Sequence, residues 1–146
     1  MSTLANGTED LPQGLTPAAA YGIVNEAIQK LALMNIHEQA VFFPGLVRDG
    51  QYRGTRAITI ERLCTAVEIN VEGDRPSGSP LIVQINVNGT LQAQQFTVAA
   101  GANYALVAVS SGGLVIPANQ FAAVQIVSGN AASDVVVTLK SQLRIL

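Results

Sequence analysis

From about residue 40 onward, apolar and polar positions alternate in short runs broken by Gly, Pro and Asn, the rhythm of an antiparallel sandwich or barrel. The pattern predicts strands near residues 41–47, 56–60, 62–72, 81–87, 90–99, 103–109, 119–128 and 134–145. In the last of these, Val135, Val137, Leu139, Leu143 and Ile145 share one face, and Val136, Thr138, Lys140, Gln142 and Arg144 share the other, because successive side chains of a strand point to opposite sides. Leu63, Val67, Ile69 and Val71 are set in the same way against Glu68, Asn70 and Glu72. One buried and one wet face per strand indicates antiparallel pairing. No helical period interrupts this part, which argues against a parallel α/β sheet. The reading is a mainly β fold, an antiparallel β-sandwich of jelly-roll type with about eight strands.

The stretch "SPLIVQINVNGTLQAQQFTV" has the form of a hairpin around Asn88-Gly89. A two-residue Asn-Gly turn would pair Val87 with Thr90 and Val83 with Gln94, placing Val and Ile of one strand against Gln of the other. A three-residue loop, Val87-Asn88-Gly89, sets Ile85 opposite Leu91 and Val83 opposite Ala93 and keeps the face apolar. Hydrophobic parity therefore predicts the three-residue loop, with Val87 at an exposed tip.

Before the β body, residues 1 to about 14 read as an arm, and residues 16 to about 37 as a helix that ends at His37. Thr16 suits the N-cap and Pro17 the first helical position. Ala20, Val24, Ala27, Leu31 and Met34, with Tyr21 and Ile28 beside them, recur at spacings of three and four, an apolar stripe that must be covered. Tyr21, Val24, Ile28 and Leu31 are thus candidate contact residues, either against the chain's own domain or in a bundle with a partner subunit. The division is residues 1–39, arm and amphipathic helix, and residues 40–146, β-sandwich.

Composition narrows the function classes. Only 12% of the 146 residues are charged and the net charge is −2, so there is no basic footprint for nucleic acid. Nothing approaches the roughly 18 to 20 consecutive apolar residues of a membrane span. The opening "MSTLANGTEDLPQG" lacks the basic start and apolar run of a secretory signal, so synthesis in the cytoplasm is expected. Cys64 is the single cysteine, which rules out an intrachain disulfide and reads as a buried structural thiol. His37 is the single histidine, too few for a histidine-based metal site. Glu68 and Glu72 fall on the polar face of a strand and Asp74 in the "EGDRPSGSP" loop. No catalytic residue, metal ligand or cofactor site is assigned, and the chain reads as a non-enzyme.

Among the aromatics, Phe42, Phe43, Phe96 and Phe121 fall within strand patterns and read as core, and Trp is absent. Tyr52 differs. It stands in the loop "RDGQYRGTR" with Arg48, Arg53 and Arg56, and Tyr with Arg is the composition of a protein interface anchor, with a merely solvated loop as the equal alternative.

In order along the chain come "VFFPG", "ITIERLCTAVE", "PSGSPLIVQINVNGT", "IPANQFAAVQIV" and a final alternating strand. From about residue 41 to 146 this order resembles the β-sandwich modules of tailed-bacteriophage virion structural proteins, with Gln84 and Val87 standing where that pattern is more polar or charged. The helix and arm lie outside the resemblance. It implies a non-enzymatic virion component, made in the host cytoplasm, with protein partners and no cofactor. A short, low-charge sandwich with an arm fits a capsid decoration or cement protein, riding as a homotrimer on the major capsid protein. The alternative is a tail or fibre component, whose sandwich would bind a host receptor or glycan.

Overall fold

The computed structural model describes residue 20, residues 22–25 and residues 36–144. Residues 22–25 are helical, as the capped amphipathic stretch predicts. Tyr21, Ile28 and Leu31 lie outside the described residues. Residues 36–146 form one compact unit, distinct from residues 1–35.

Nine strands build this unit: β1 (Ile36–Leu46), β2 (Tyr52–Gly54), β3 (Arg62–Val71), β4 (Leu81–Val87), β5 (Thr90–Val98), β6 (Tyr104–Ala108), β7 (Leu114–Ile116), β8 (Ala122–Ser128) and β9 (Ser133–Leu143). The first sheet runs β1-β9-β3-β6, with β7 also paired to β3; the second runs β2-β8-β4-β5. Every pairing is antiparallel. The chain changes sheet at each connection except the β4–β5 hairpin and the β6–β7 step. That alternation is jelly-roll topology, the fold class that the period-two pattern predicts. Val41, Phe43, Val67, Ile69, Leu81, Val83, Phe96, Val124, Val135 and Val137 are all at most 5% exposed between the sheets.

Several local expectations change. His37 lies in β1, opposite Ser141 of β9, and not at a helix end: Ile36 already begins the strand. Residues 56–60 form no strand; the short strand here is β2, which contains Tyr52 and Arg53 and pairs with β8. β7 leaves no signal in the sequence, because three residues are too few to show a period. Leu63, expected inside, faces out, while Arg62 and Cys64 face in. The cause is an irregularity in pairing with β9 between Cys64 and Ala66, since one extra residue reverses the side-chain parity of what precedes it.

The hairpin takes the turn that parity argues against. Val87 pairs with Thr90, and Asn88 (φ 49) and Gly89 (φ 91) are both left-handed, the requirement of a two-residue type I′ turn. Val87 is buried, and Leu91, 44% exposed, is not. The conflict is absorbed further along by a bulge. Asn86 pairs with Leu91 and Gln84 with Gln95, so Ile85 faces three residues, Gln92 to Gln94. This slides β5 by one pair and brings Phe96, in place of Gln94, opposite Val83. The Gln84 amide donates to the carbonyls of Gln92 (3.0 Å) and Ala93 (3.3 Å), occupying acceptors that the bulge takes out of the ladder.

Candidate interaction surface

The two sheets present different outer faces. On the first, one row across the strands reads Phe42, Val136, Asn70, Tyr104, and the next reads Ala40, Thr138, Glu68, Leu106. Ile36 and Val115 extend the face at its end. Ile36 (50% exposed), Phe42 (45%), Tyr104 (47%), Leu106 (55%) and Val115 (40%) all stand in solvent. Phe42 is therefore not core, in contrast to expectation; neither is Phe121, whose ring lies beside Gly54 on the second sheet. Phe43 and Phe96 are core as expected. In β1, Phe42 and Phe43 are neighbours, so period two already requires one of them to face out.

Charged side chains form a short ladder through the middle of this apolar face. Lys140 Nζ lies 3.1 Å from Glu38 Oε2 and 3.9 Å from Glu68 Oε1, and the Tyr104 hydroxyl donates to Glu68 Oε2 at 2.8 Å. One residue from each of β1, β9, β3 and β6 takes part. The hydrogen bond to Glu38 raises the Lys140 pKa, and the hydrogen bond to Glu68 raises that of Tyr104. With two carboxylates and one ammonium, the ladder has a carboxylate in excess.

The second sheet has an uncharged outer face, where Tyr52, Gln125, Gln84 and Gln95 align across its four strands. At its edge lie the other sequence candidates. Tyr52 is opposite Gln125 and Arg53 opposite Val124, so the two leave β2 on opposite sides. Arg48, Tyr52, Arg53 and Arg56 are all exposed. The segment is firmly held: Arg48 N donates to Gln51 Oε1 (2.7 Å), Gly50 N to the Ile126 carbonyl (2.7 Å) and Thr55 N to the Ala122 carbonyl (2.7 Å). Among the described residues, Arg48, Arg53 and Arg56 form no ion pair. Val24 is helical and 52% exposed.

Between the sheets, polar residues concentrate at one end. Arg62 is 1% exposed; its Nη1 donates to Gln39 Oε1 and its Nη2 to the Gln120 carbonyl (3.1 Å), while its Nε meets no acceptor among the described residues. Burial lowers its pKa, with Cys64 opposing. The Cys64 thiol donates to the Ala66 carbonyl at 3.6 Å, and Cys64 is paired with Ser141 across the strands. These groups are enclosed between the sheets, and their hydrogen bonds go to Gln39, Gln120 and Ala66. Near the β5 bulge, a cavity of about 220 Å³ has Ile85, Phe96 and Leu114 as its floor and Gln92, Gln94 and Ser110 at its rim. Gln94 crosses from β5 to the other sheet, donating to the Ala108 carbonyl (3.0 Å) and accepting from Ser110 N and Oγ (2.8 and 2.9 Å).

Among the described residues no group of three or more His, Cys, Asp or Glu is placed to hold a metal ion, and no helix is long and apolar enough to cross a membrane. Glu68, Glu72 and Asp74 do not converge: Glu68 serves the ladder, while Glu72 and Asp74 bond through their backbones to the start of β9.

No protein-family model and no curated protein sequence matches the chain. Among solved structures it is similar to a chain of a cyanophage Pam1 capsid asymmetric unit, at a TM-score of 0.48 and 18% identity over 75% of this chain and 86% of that one. It is also similar to the catalytic domain of a GH87 α-1,3-glucanase in complex with nigerose, at 0.44 and 14% over 73% of this chain and 22% of the other. A third similar structure is the Podospora anserina GH26-CBM35 β-(1,4)-mannanase, at 0.41 and 12% over 73% and 29%.

Proposed function

We propose that this chain is a non-enzymatic virion structural protein of the capsid decoration or cement kind, made in the host cytoplasm and acting as a homo-oligomer, a trimer, on the major capsid protein. The observation that carries this reading is the outer face of the first sheet. Ile36, Phe42, Tyr104, Leu106 and Val115 expose large apolar side chains on one side of the sheet, around the Glu38–Lys140–Glu68 ladder, and large apolar side chains gathered on one face together with charged groups suit protein–protein contact. The order of motifs from "VFFPG" to the final strand, which resembles that of phage virion modules, supports the same class. Cementing follows from mass action: a protein that binds only the assembled shell lowers the free energy of that state, so opening requires those contacts to break first.

The test is addition of the full chain to purified shells that lack it, with occupancy read by sedimentation and shell opening by a heating ramp. Native protein is expected to bind and raise the opening temperature. A Phe42→Ser, Leu106→Ser variant, altered only at exposed positions, is expected to melt like the native chain and to lose occupancy about tenfold or more. Undiminished binding by that variant would remove the face from the account. Native protein that ignores shells but attaches to host cells or a surface glycan would assign the chain to a tail or fibre.

A further inference from the structure

We propose that the occupant of the first sheet's outer face is a second copy of this chain, which docks through the arginine-bearing edge formed by residues 48–56. The proposal rests on the contact role given to that face above and names its partner.

The argument is one of complementarity between two surfaces of one molecule. The face is apolar at its rim, with Phe42, Leu106 and Val115 exposed, and charged at its centre, where Glu38 and Glu68 outnumber Lys140. The edge has the opposite balance: Arg48, Arg53 and Arg56 against the single carboxylate of Asp49. Asp49 is itself engaged, its Oδ1 accepting from Gly129 N at 2.9 Å. Tyr52, 46% exposed, adds an apolar ring to the edge on the side of β2 opposite Arg53, and Tyr and Arg are both enriched where protein surfaces meet. The edge is tied to β8 through Gly50, Gln51 and Thr55, so little conformational freedom is lost when it docks.

Face and edge belong to different sheets and adjoin where the Gln39 amide of β1 donates to the Arg56 carbonyl at 2.9 Å. Two faces meeting each other would bring two carboxylate excesses together, whereas face on edge joins unlike charge. A contact between different patches is heterologous, and repeated around an axis it gives a ring where the rotation closes and an open filament where it does not. The trimer proposed above is one such ring. The groups required to meet are Glu38, 48% exposed at its side chain, and Arg53 and Arg56 of the neighbouring copy.

Sedimentation equilibrium of the full chain across a concentration series, at low and at high salt, tests this. The native chain is expected to associate to a closed oligomer, more weakly at high salt. Arg53→Glu with Arg56→Glu, and separately Glu38→Lys, are each expected to raise the dissociation constant about tenfold or more, with melting curves checked for retained fold. A chain carrying all three reversals is expected to regain association, because the charges are again unlike. A native chain that stays monomeric throughout overturns the inference, as does a triple reversal that recovers nothing. Association that survives Arg53→Glu with Arg56→Glu but is abolished by Leu106→Ser means that the face pairs with itself and likewise overturns it. Shell binding is a separate readout: a native monomer that still decorates shells sinks this inference and the trimer but leaves the cement role, and a native oligomer that ignores shells sinks only the cement reading.

Discussion

Cys64 shows how burial decides the behaviour of one residue. Its side chain is fully enclosed, and burial pushes the thiol pKa up, with Ser141, the Ala66 carbonyl and Arg62 opposing less strongly. The folded chain thus holds the thiol proton more tightly than the unfolded chain does. The resulting stability is fully present below the ordinary thiol range and is lost as pH rises through it toward the raised folded value. Urea unfolding of the native chain and Cys64→Ala should therefore show a gap of about 1 kcal/mol at neutral pH, narrowing in alkali. A constant gap would mean that the thiolate is not excluded from the core. That Cys64 is a buried structural thiol is readable from its isolation in the sequence. That Arg62 joins it is not, because the strand irregularity after Cys64 reverses the inward parity, and no local pattern announces it.

At the scale of elements, the β5 edge is where polar residues join the two layers. Gln92 and Gln94 point inward at the mouth of the sandwich, the placement that sets hydrophobic parity against a two-residue turn. Asn-Gly nonetheless dictates the turn, since both central residues must be left-handed. The bulge then moves Phe96 into the core, and Gln94 bonds the opposite sheet. Gln94→Ala, which removes three hydrogen bonds, is expected to cost about 1–2 kcal/mol in denaturant unfolding. It should also speed amide exchange at Ser110. Native exchange at Ser110 in the variant would show that the two edges are held together by apolar packing alone. The face of the first sheet is half legible in the same terms. Period two places Thr138 and Lys140 outward, whereas hydrophobicity alone assigns Phe42 to the core although its neighbour Phe43 already fills the inward position.

For the whole molecule, the compact unit begins at Ile36, and a chain of residues 36–146 is expected to fold alone, because all nine strands and both sheets lie within it. Its melting temperature should lie within about 3 °C of the full chain's, less than the shift that 1 kcal/mol produces in a domain of this size. A larger drop would mean that residues before β1 contribute to the core. The sequence by itself determined the class of fold, because alternation of apolar and polar side chains is a property of each strand and survives without knowledge of its neighbours. Only the tertiary structure decided register, the inward turn of Arg62, and the meeting of Glu38, Lys140, Glu68 and Tyr104 on one face. Those depend on which strands pair and where a bulge shifts them, and pairing joins residues as far apart as Glu38 and Lys140, whose separation in the chain leaves no local trace.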